Sequence, residues 1–266
     1  MTPEQIAQAA AALEAAEISR KQIGLLSLAY PGMTLDDAYA VQAGLVARKL
    51  AKGRKSIGFK IGLTSKAMQQ ALNIDIPDSG VLLDDMLLAD GATVPAGRFI
   101  QPRIEAEIAF KMSRDLRGPD ASSADVMAAT EWVAPSLEIL DTRILRVDPA
   151  TKKARTIFDT VSDNAANAGL VLGEQRHRPS DHDLRWVAAI VSRNGEVEET
   201  GLGAGVLNDP ALGIAWLANR LAQYGQFLAR GDIVLSGSFI RPIEAVPGSR
   251  FVADFGPFGR VSSGFG

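Results

Sequence analysis

The sequence predicts an α+β fold, on three observations. Helical apolar spacing dominates only the first fifty or so positions and then recurs in isolated segments. From Ile57 onward, short apolar runs are broken by Gly, Pro and Asp. No regular strand–helix–strand alternation follows, which argues for an antiparallel or mixed core over a doubly wound sheet or a TIM barrel. No internal repeat or low-complexity linker divides the 266 residues. One domain with a helical N-terminal segment over about residues 1–53 is expected.

The elements follow in order. Thr2-Pro3-Glu4-Gln5 reads as an N-cap with proline at the first helical position, opening a helix over residues 3–29 with Ile6, Ala10, Leu13 and Ala16 on one stripe. A second helix starts at Thr34, with Asp36 and Asp37 in its first turn where the macrodipole favours them, and Gly53 ends it. Residues 57–62 and 103–110 read as strands, 125–132 as a helix and 135–140 as another strand. Residues 184–192 and 196–200, joined through Arg193-Asn194-Gly195, make a hairpin. Residues 210–224 form an amphipathic helix with Pro210 at its start and Gly225 beyond its end, and the tail supplies further strands.

Composition narrows the chemistry. With no cysteine, disulfides, thiolate nucleophiles and Cys-based metal sites are excluded, and two histidines (His177 and His182, both in polar stretches) cannot build a His-rich site. A net charge of -3 offers no basic face for nucleic acid. The N-terminus lacks a secretory pattern and no apolar run reaches bilayer length, so a cytoplasmic location is expected. There is no Gly-x-Ser-x-Gly elbow, and the glycines around Lys60 match neither a phosphate loop nor a dinucleotide fingerprint.

Carboxylates and one lysine remain. In the predicted strand, Arg103, Glu105, Glu107 and Ala109 share one side while Ile104, Ala106, Ile108 and Phe110 take the other. Adjacent carboxylates repel unless a multivalent cation reverses the sign; a solvated face with Arg103 as partner is the plain alternative. Glu138 stands in the otherwise apolar Pro135-Ser136-Leu137-Glu138-Ile139-Leu140, so it is either buried with a partner or aimed into a cleft. Three carboxylates without His or Cys describe a hard ion, Mg²⁺ or Mn²⁺. Lys60, between Gly58 and Gly62, suits a substrate carboxylate or proton transfer, against the simpler reading of a surface lysine at a glycine bend. Asp75-Ile76-Pro77-Asp78-Ser79-Gly80 and Asp84-Asp85 have turn chemistry, and Thr64-Ser65 could cap a following helix. The polar-dense residues 159–169 suit a pocket loop or a helix cap equally.

Together these segments resemble the hydratase/decarboxylase family of the fumarylacetoacetate hydrolase superfamily. The matching stretches are Gly58-Phe59-Lys60-Ile61-Gly62-Leu63-Thr64-Ser65-Lys66, Leu83-Asp84-Asp85-Met86, Pro102-Arg103-Ile104-Glu105-Ala106-Glu107, Leu137-Glu138-Ile139, Ser162-Asp163-Asn164-Ala165-Ala166-Asn167-Ala168-Gly169 and Ser236-Gly237-Ser238-Phe239. The resemblance implies a mixed β roll with flanking helices, assembled as a homo-oligomer built from dimers. It implies Mg²⁺ or Mn²⁺ held by Glu105, Glu107 and Glu138, chelating a 2-oxo acid and stabilising its dienolate.

The implied activity is that of a lyase: hydration of a 2-oxo alkenedioate, or of a shorter 2-hydroxydienoate, in aromatic catabolism. Decarboxylation of a vinylogous 2-oxo diacid is the nearest rival. Acylpyruvate hydrolysis is more distant, since its water-activating histidine has no counterpart before His177. In this reading Lys60, Asp78, Asp84 and Ser162 are the catalytic candidates. Arg143 and Arg155 are candidates for a far carboxylate, and Leu83 and Asn164 for further substrate contacts.

Overall fold

A computed structural model describes residues 1–66, 69 and 76–266. Asp75, and most of any helix that Thr64-Ser65 would cap, lie outside the described residues.

Helix α1 spans Pro3–Ser19 and α3 spans Leu35–Ala51. Both open on the expected threonine: Thr2 and Thr34 accept from the backbone N–H of Gln5 and Asp37, and those side chains return a bond to the cap N–H. The first helix stops ten residues short of its expected end. Arg20 turns left-handed, and Ile23 leaves to exchange backbone hydrogen bonds with Arg143 and Leu145. A short α2 (Leu26–Ala29) resumes after that excursion. Leu13, Val41 and Leu45 are fully buried between these helices with Ile144 and Val161, and each such burial contributes roughly 1.5–3 kcal/mol.

The strands are β1 (Ser56–Gly62), β2 (Asp78–Leu83), β3 (Leu87–Leu88), β4 (Thr93–Val94), β5 (Arg103–Met112), β6 (Thr130–Leu140), β7 (Asn167–Leu172), β8 (Ala188–Arg193), β9 (Glu196–Leu202), β10 (Ile233–Leu235), β11 (Ile243–Glu244), β12 (Arg250–Asp254) and β13 (Arg260–Phe265). Among the described residues they form an eight-stranded sheet, ordered β2-β1-β10-β5-β6-β7-β3 with β11 also on β5, and a five-stranded sheet ordered β4-β13-β12-β8-β9. Pairings β1/β10, β3/β7 and β4/β13 are parallel and the others antiparallel, as an α+β chain with a mixed core requires. The largest core cluster runs from Ile104, Ile108 and Phe110 of the first sheet to Val191, Phe251 and Val261 of the second.

Further boundaries differ from expectation. Helix α4 is only Ser123–Ala129, and residues 130–132, expected to be helical, begin β6. Thr130 and Trp132 pair with Met112 and Lys111, so sheet hydrogen bonding outweighs the local helical spacing. Leu184–Trp186 is a single 3-10 turn, and the hairpin starts at Ala188. Its turn is as expected: Asn194 and Gly195 both have positive φ, 55° and 90°. Two further helices are α5 (Ile157–Ser162) and α6 (Pro210–Ala222).

Candidate active site

The central antiparallel pair β5–β6 positions the carboxylates. Its register sets Glu105 directly opposite Glu138, and Glu107 opposite Ser136. Glu107 and Glu138 are wholly buried and Glu105 is half-buried, with oxygens of all three within 4.8 Å of one another. The polar side of β5 is therefore no solvated face.

Strand β10 runs beside β5 and delivers the loop that follows it. Gly237 N–H donates to Glu107 Oε2 at 2.8 Å. Gly237 needs its lack of a side chain: its φ is +110°, and a Cβ there would lie 2.2 Å from Thr64 Oγ1. Strand β1 brings Lys60, 3% exposed, to place Nζ 3.4 Å from Glu138 Oε1. Asp78, 2% exposed, stands on β2 opposite Gly62, with Oδ1 lacking a partner among the described residues.

The arrangement is short of positive charge. Glu107 Oε1 and both oxygens of Glu138 are buried without a hydrogen-bond donor among the described residues. An unpaired buried carboxylate costs several kcal/mol, and Lys60 is one cation among four acids. Burial, then the neighbouring Glu138, pushes Glu105 up to about 8. The same causes in the same order hold Glu107 well above the ordinary carboxylate range. Burial raises Glu138 against the pull of Lys60, and raises Asp78 likewise. For Lys60 burial alone would favour the neutral amine, but Glu138, Asp78, Glu105 and Glu107 more than reverse it. Three converging carboxylates, two of them with orphaned oxygens, could hold a divalent cation.

These groups open into a cavity of about 510 Å³ lined by Lys60, Asp78 and Glu105 and, further along, by Arg103, Arg146 and Arg155. Its walls include Thr156, Ile157 and Thr160 at α5, and Ala165-Ala166 beyond it. Glu107 and Glu138 lie behind the lining, wholly buried.

Other expected site residues stand elsewhere. Asp84 is exposed on a 3-10 turn, where its carboxylate accepts from the Lys55 and Asp85 backbone. Leu83 is fully buried in a core cluster with Leu82, Met86 and Leu235, since its strand direction points it away from the cavity. Arg143 is 2% exposed and spent on structure: it pairs with Asp163 and donates to the carbonyls of Asp163 and Asn167. The Asn164 amide is likewise occupied, bonding the N–H and C=O of Val81 at 2.8 and 2.9 Å. Ser162 is buried at the end of α5 and does not line the cavity. His177 and His182 pair with each other at 3.2 Å, His177 stacked on Phe258 and His182 edge-on to it, away from the cavity. Sequence reading missed Arg146, which has no local signal, and treated Arg103 only as a partner for the acids, although it shares their strand face.

No family model matches the chain. The 2-oxo-hept-4-ene-1,7-dioate hydratase of Escherichia coli is 52% identical over 253 residues, 95% of either chain. The chain belongs to the hydratase/decarboxylase family of the fumarylacetoacetate hydrolase superfamily. The 2-hydroxyhexa-2,4-dienoate hydratase of Comamonas testosteroni, another member, is 43% identical over 88% of this chain and 87% of its own length. The family fold is matched closely by the 4-oxalocrotonate decarboxylase of Pseudomonas putida G7 solved with magnesium and adipate. That structure has a TM-score of 0.94 at 34% identity, covering 100% of this chain and 98% of the other. As in the family, the chain is a mixed-sheet protein with flanking helices. No helix among the described residues is long and apolar enough to cross a membrane.

Proposed function

We propose that the protein is a divalent-metal-dependent lyase that hydrates 2-oxohept-4-ene-1,7-dioate to 4-hydroxy-2-oxoheptane-1,7-dioate in the breakdown of aromatic compounds. The observation that carries this reading is the convergence of Glu107 and Glu138, with orphaned oxygens, on Glu105, which lines one cavity with Lys60. The 52% identity to a hydratase of that substrate supports the choice of reaction.

Glu105, Glu107 and Glu138 would hold the ion. The all-carboxylate set favours Mg²⁺, with Mn²⁺ the alternative. Such an ion would supply Lewis-acid polarisation of a 2-oxo acid. Lys60 lines the cavity at that end and adds the positive charge that steadies the 1-carboxylate. Asp78 Oδ1, facing the same end, takes a proton from C3 and returns it at C5, which carries the double bond into conjugation with the ketone. Water then adds its hydroxyl to C4 and its proton to C3. No redox step or covalent enzyme intermediate is needed, in keeping with a chain that has no cysteine.

The same reading makes residues 1–266 one catalytic domain. Asp159 at the cavity helix α5 accepts from the backbone and hydroxyl of Ser27, tying the N-terminal segment to the cavity wall. It also makes the enzyme cytoplasmic and a homo-oligomer built from dimers. Apolar Trp186, Ile190 and Val197, 73%, 48% and 63% exposed on and beside the β8–β9 edge, support the assembly.

The test is to strip the protein with a chelator, restore Mg²⁺ or Mn²⁺, supply the heptenedioate and follow products by NMR. Metal-dependent appearance of the 4-hydroxy acid is expected. Release of CO₂ without that product would sink the hydratase reading in favour of decarboxylation.

A further inference from the structure

The cavity has a second charged pole that neither the metal ligands nor Lys60 explains. Arg103 lies two residues before Glu105 on the same face of β5, about 7 Å along the strand, and so about 13 Å from Glu107. Arg146 and Arg155 join it on the cavity lining. Arg103 and Arg146 share one acid, Glu244, at 3.3 and 3.9 Å. The Glu244 side chain is 67% exposed, so water competes for that pairing, and the Nε atoms of both arginines are buried without a partner.

Arg155 differs. Among the described residues, no carboxylate lies within ion-pair reach of its guanidinium and no group accepts a hydrogen bond from it. Burial, opposed by Asp163 but reinforced by the like charge of Arg103, works against its positive form. A half-buried guanidinium in that position is under-compensated and presents a planar fork of donors to the cavity.

We propose that Arg155, flanked by Arg103 and Arg146, receives the carboxylate at the far end of a dicarboxylic substrate and so selects diacids over monoacids with the same 2-oxo head. The inference rests on the proposed function and assigns the diacid selectivity of that same site. With Glu244 holding Arg103 and Arg146, Arg155 is the open member of the trio. An arriving carboxylate gains charge-assisted, bidentate hydrogen bonds there without first displacing an internal anion.

The experiment is calorimetric titration of the Mg²⁺-loaded full-length protein with 2-oxoheptanedioate and, separately, 2-oxoheptanoate, for wild type, Arg155→Met and Arg155→Lys. Binding is read directly, so the result does not depend on turnover. Wild type should bind the diacid roughly 10- to 100-fold more tightly, the worth of a hydrogen-bonded charge pair. R155M should erase that gap by weakening the diacid alone, and R155K should restore part of it. A gap that survives in R155M overturns the assignment. So does an equal loss for both ligands, the mark of a merely structural arginine. Failure of the function reading looks different: wild type would give no 4-hydroxy product from the heptenedioate, whatever the binding gap.

Discussion

Glu105 and Glu138 face each other directly across the antiparallel strands β5 and β6, with Glu107 one pleat further along the same face. Like charges in directly opposed positions destabilise a sheet, and these lie in its interior. The fold thus holds a repulsion that a divalent cation would relieve.

Metal should therefore stabilise this protein well beyond any general salt effect. Saturating Mg²⁺ at about 100 times its Kd is expected to add about 2.7 kcal/mol, read as a rise in melting temperature that a chelator reverses. In Glu107→Gln the rise should disappear and turnover should fall by at least ~100-fold while the fold persists. Retained, metal-requiring activity in that variant would remove Glu107 from the ligand set.

Lys60 is the one cation in ion-pair contact with Glu138 among the described residues. Lys60→Met should destabilise the metal-free protein by roughly 3 kcal/mol, because it strips the partner from a buried charge. Urea unfolding of the chelated protein measures this. Unchanged stability would show that the 3.4 Å contact contributes nothing net.

Gly237→Ala should cost on the order of 1–3 kcal/mol from backbone strain alone, with more from the collision with Thr64. Because the same residue donates to Glu107, turnover should fall together with stability. The double variant with Thr64→Ala should recover only part of the melting temperature, since the positive φ remains. Full recovery would show that the collision alone mattered.

Acid should loosen the N-terminal helices. Glu17 pairs with Lys49 at 2.6 Å and lies 3.9 Å from Arg143. Burial pushes its pKa up, but Arg143 and Lys49 outweigh burial and hold it below the ordinary 4.5. A depressed carboxylate contributes stability that is fully present above its ordinary value and lost as pH falls through the folded value. Glu17→Gln should therefore melt lower than wild type at pH 7, and the difference should shrink below about pH 4.5. A gap independent of pH would mean that charge is not its source.

Much of the fold was legible in local patterns. The Thr2 cap, the helix start at Thr34, the Asn-Gly hairpin turn and the proline-led helix stand where spacing and turn chemistry put them, because each is decided by residues a few positions apart. Failures came where distant chain competes for the same backbone. Residues 130–132 pair with β5, and Ile23 pairs with the segment around Arg143 and Leu145, so the local helical pattern yields at both places. Within the site, alternation put Glu105 and Glu107 on one face, and the apolar run around Glu138 marked it as an acid needing a partner.

Residue types and their spacing carry the chemistry: carboxylates and a lysine with no thiol, a grouping suited to a hard cation. Contacts between distant segments sort the candidate residues. Asp84, Leu83, Arg143 and Asn164 have the right residue types for it, yet an exposed turn, a core cluster, an ion pair with Asp163 and the Val81 backbone claim them instead. Arg155 meets no such internal claim on its guanidinium among the described residues, and it lines the cavity with Arg103 and Arg146. Residue type sets what a side chain can bind. Which partner it meets depends on register and packing between segments far apart in the chain, and short-range spacing carries no record of those.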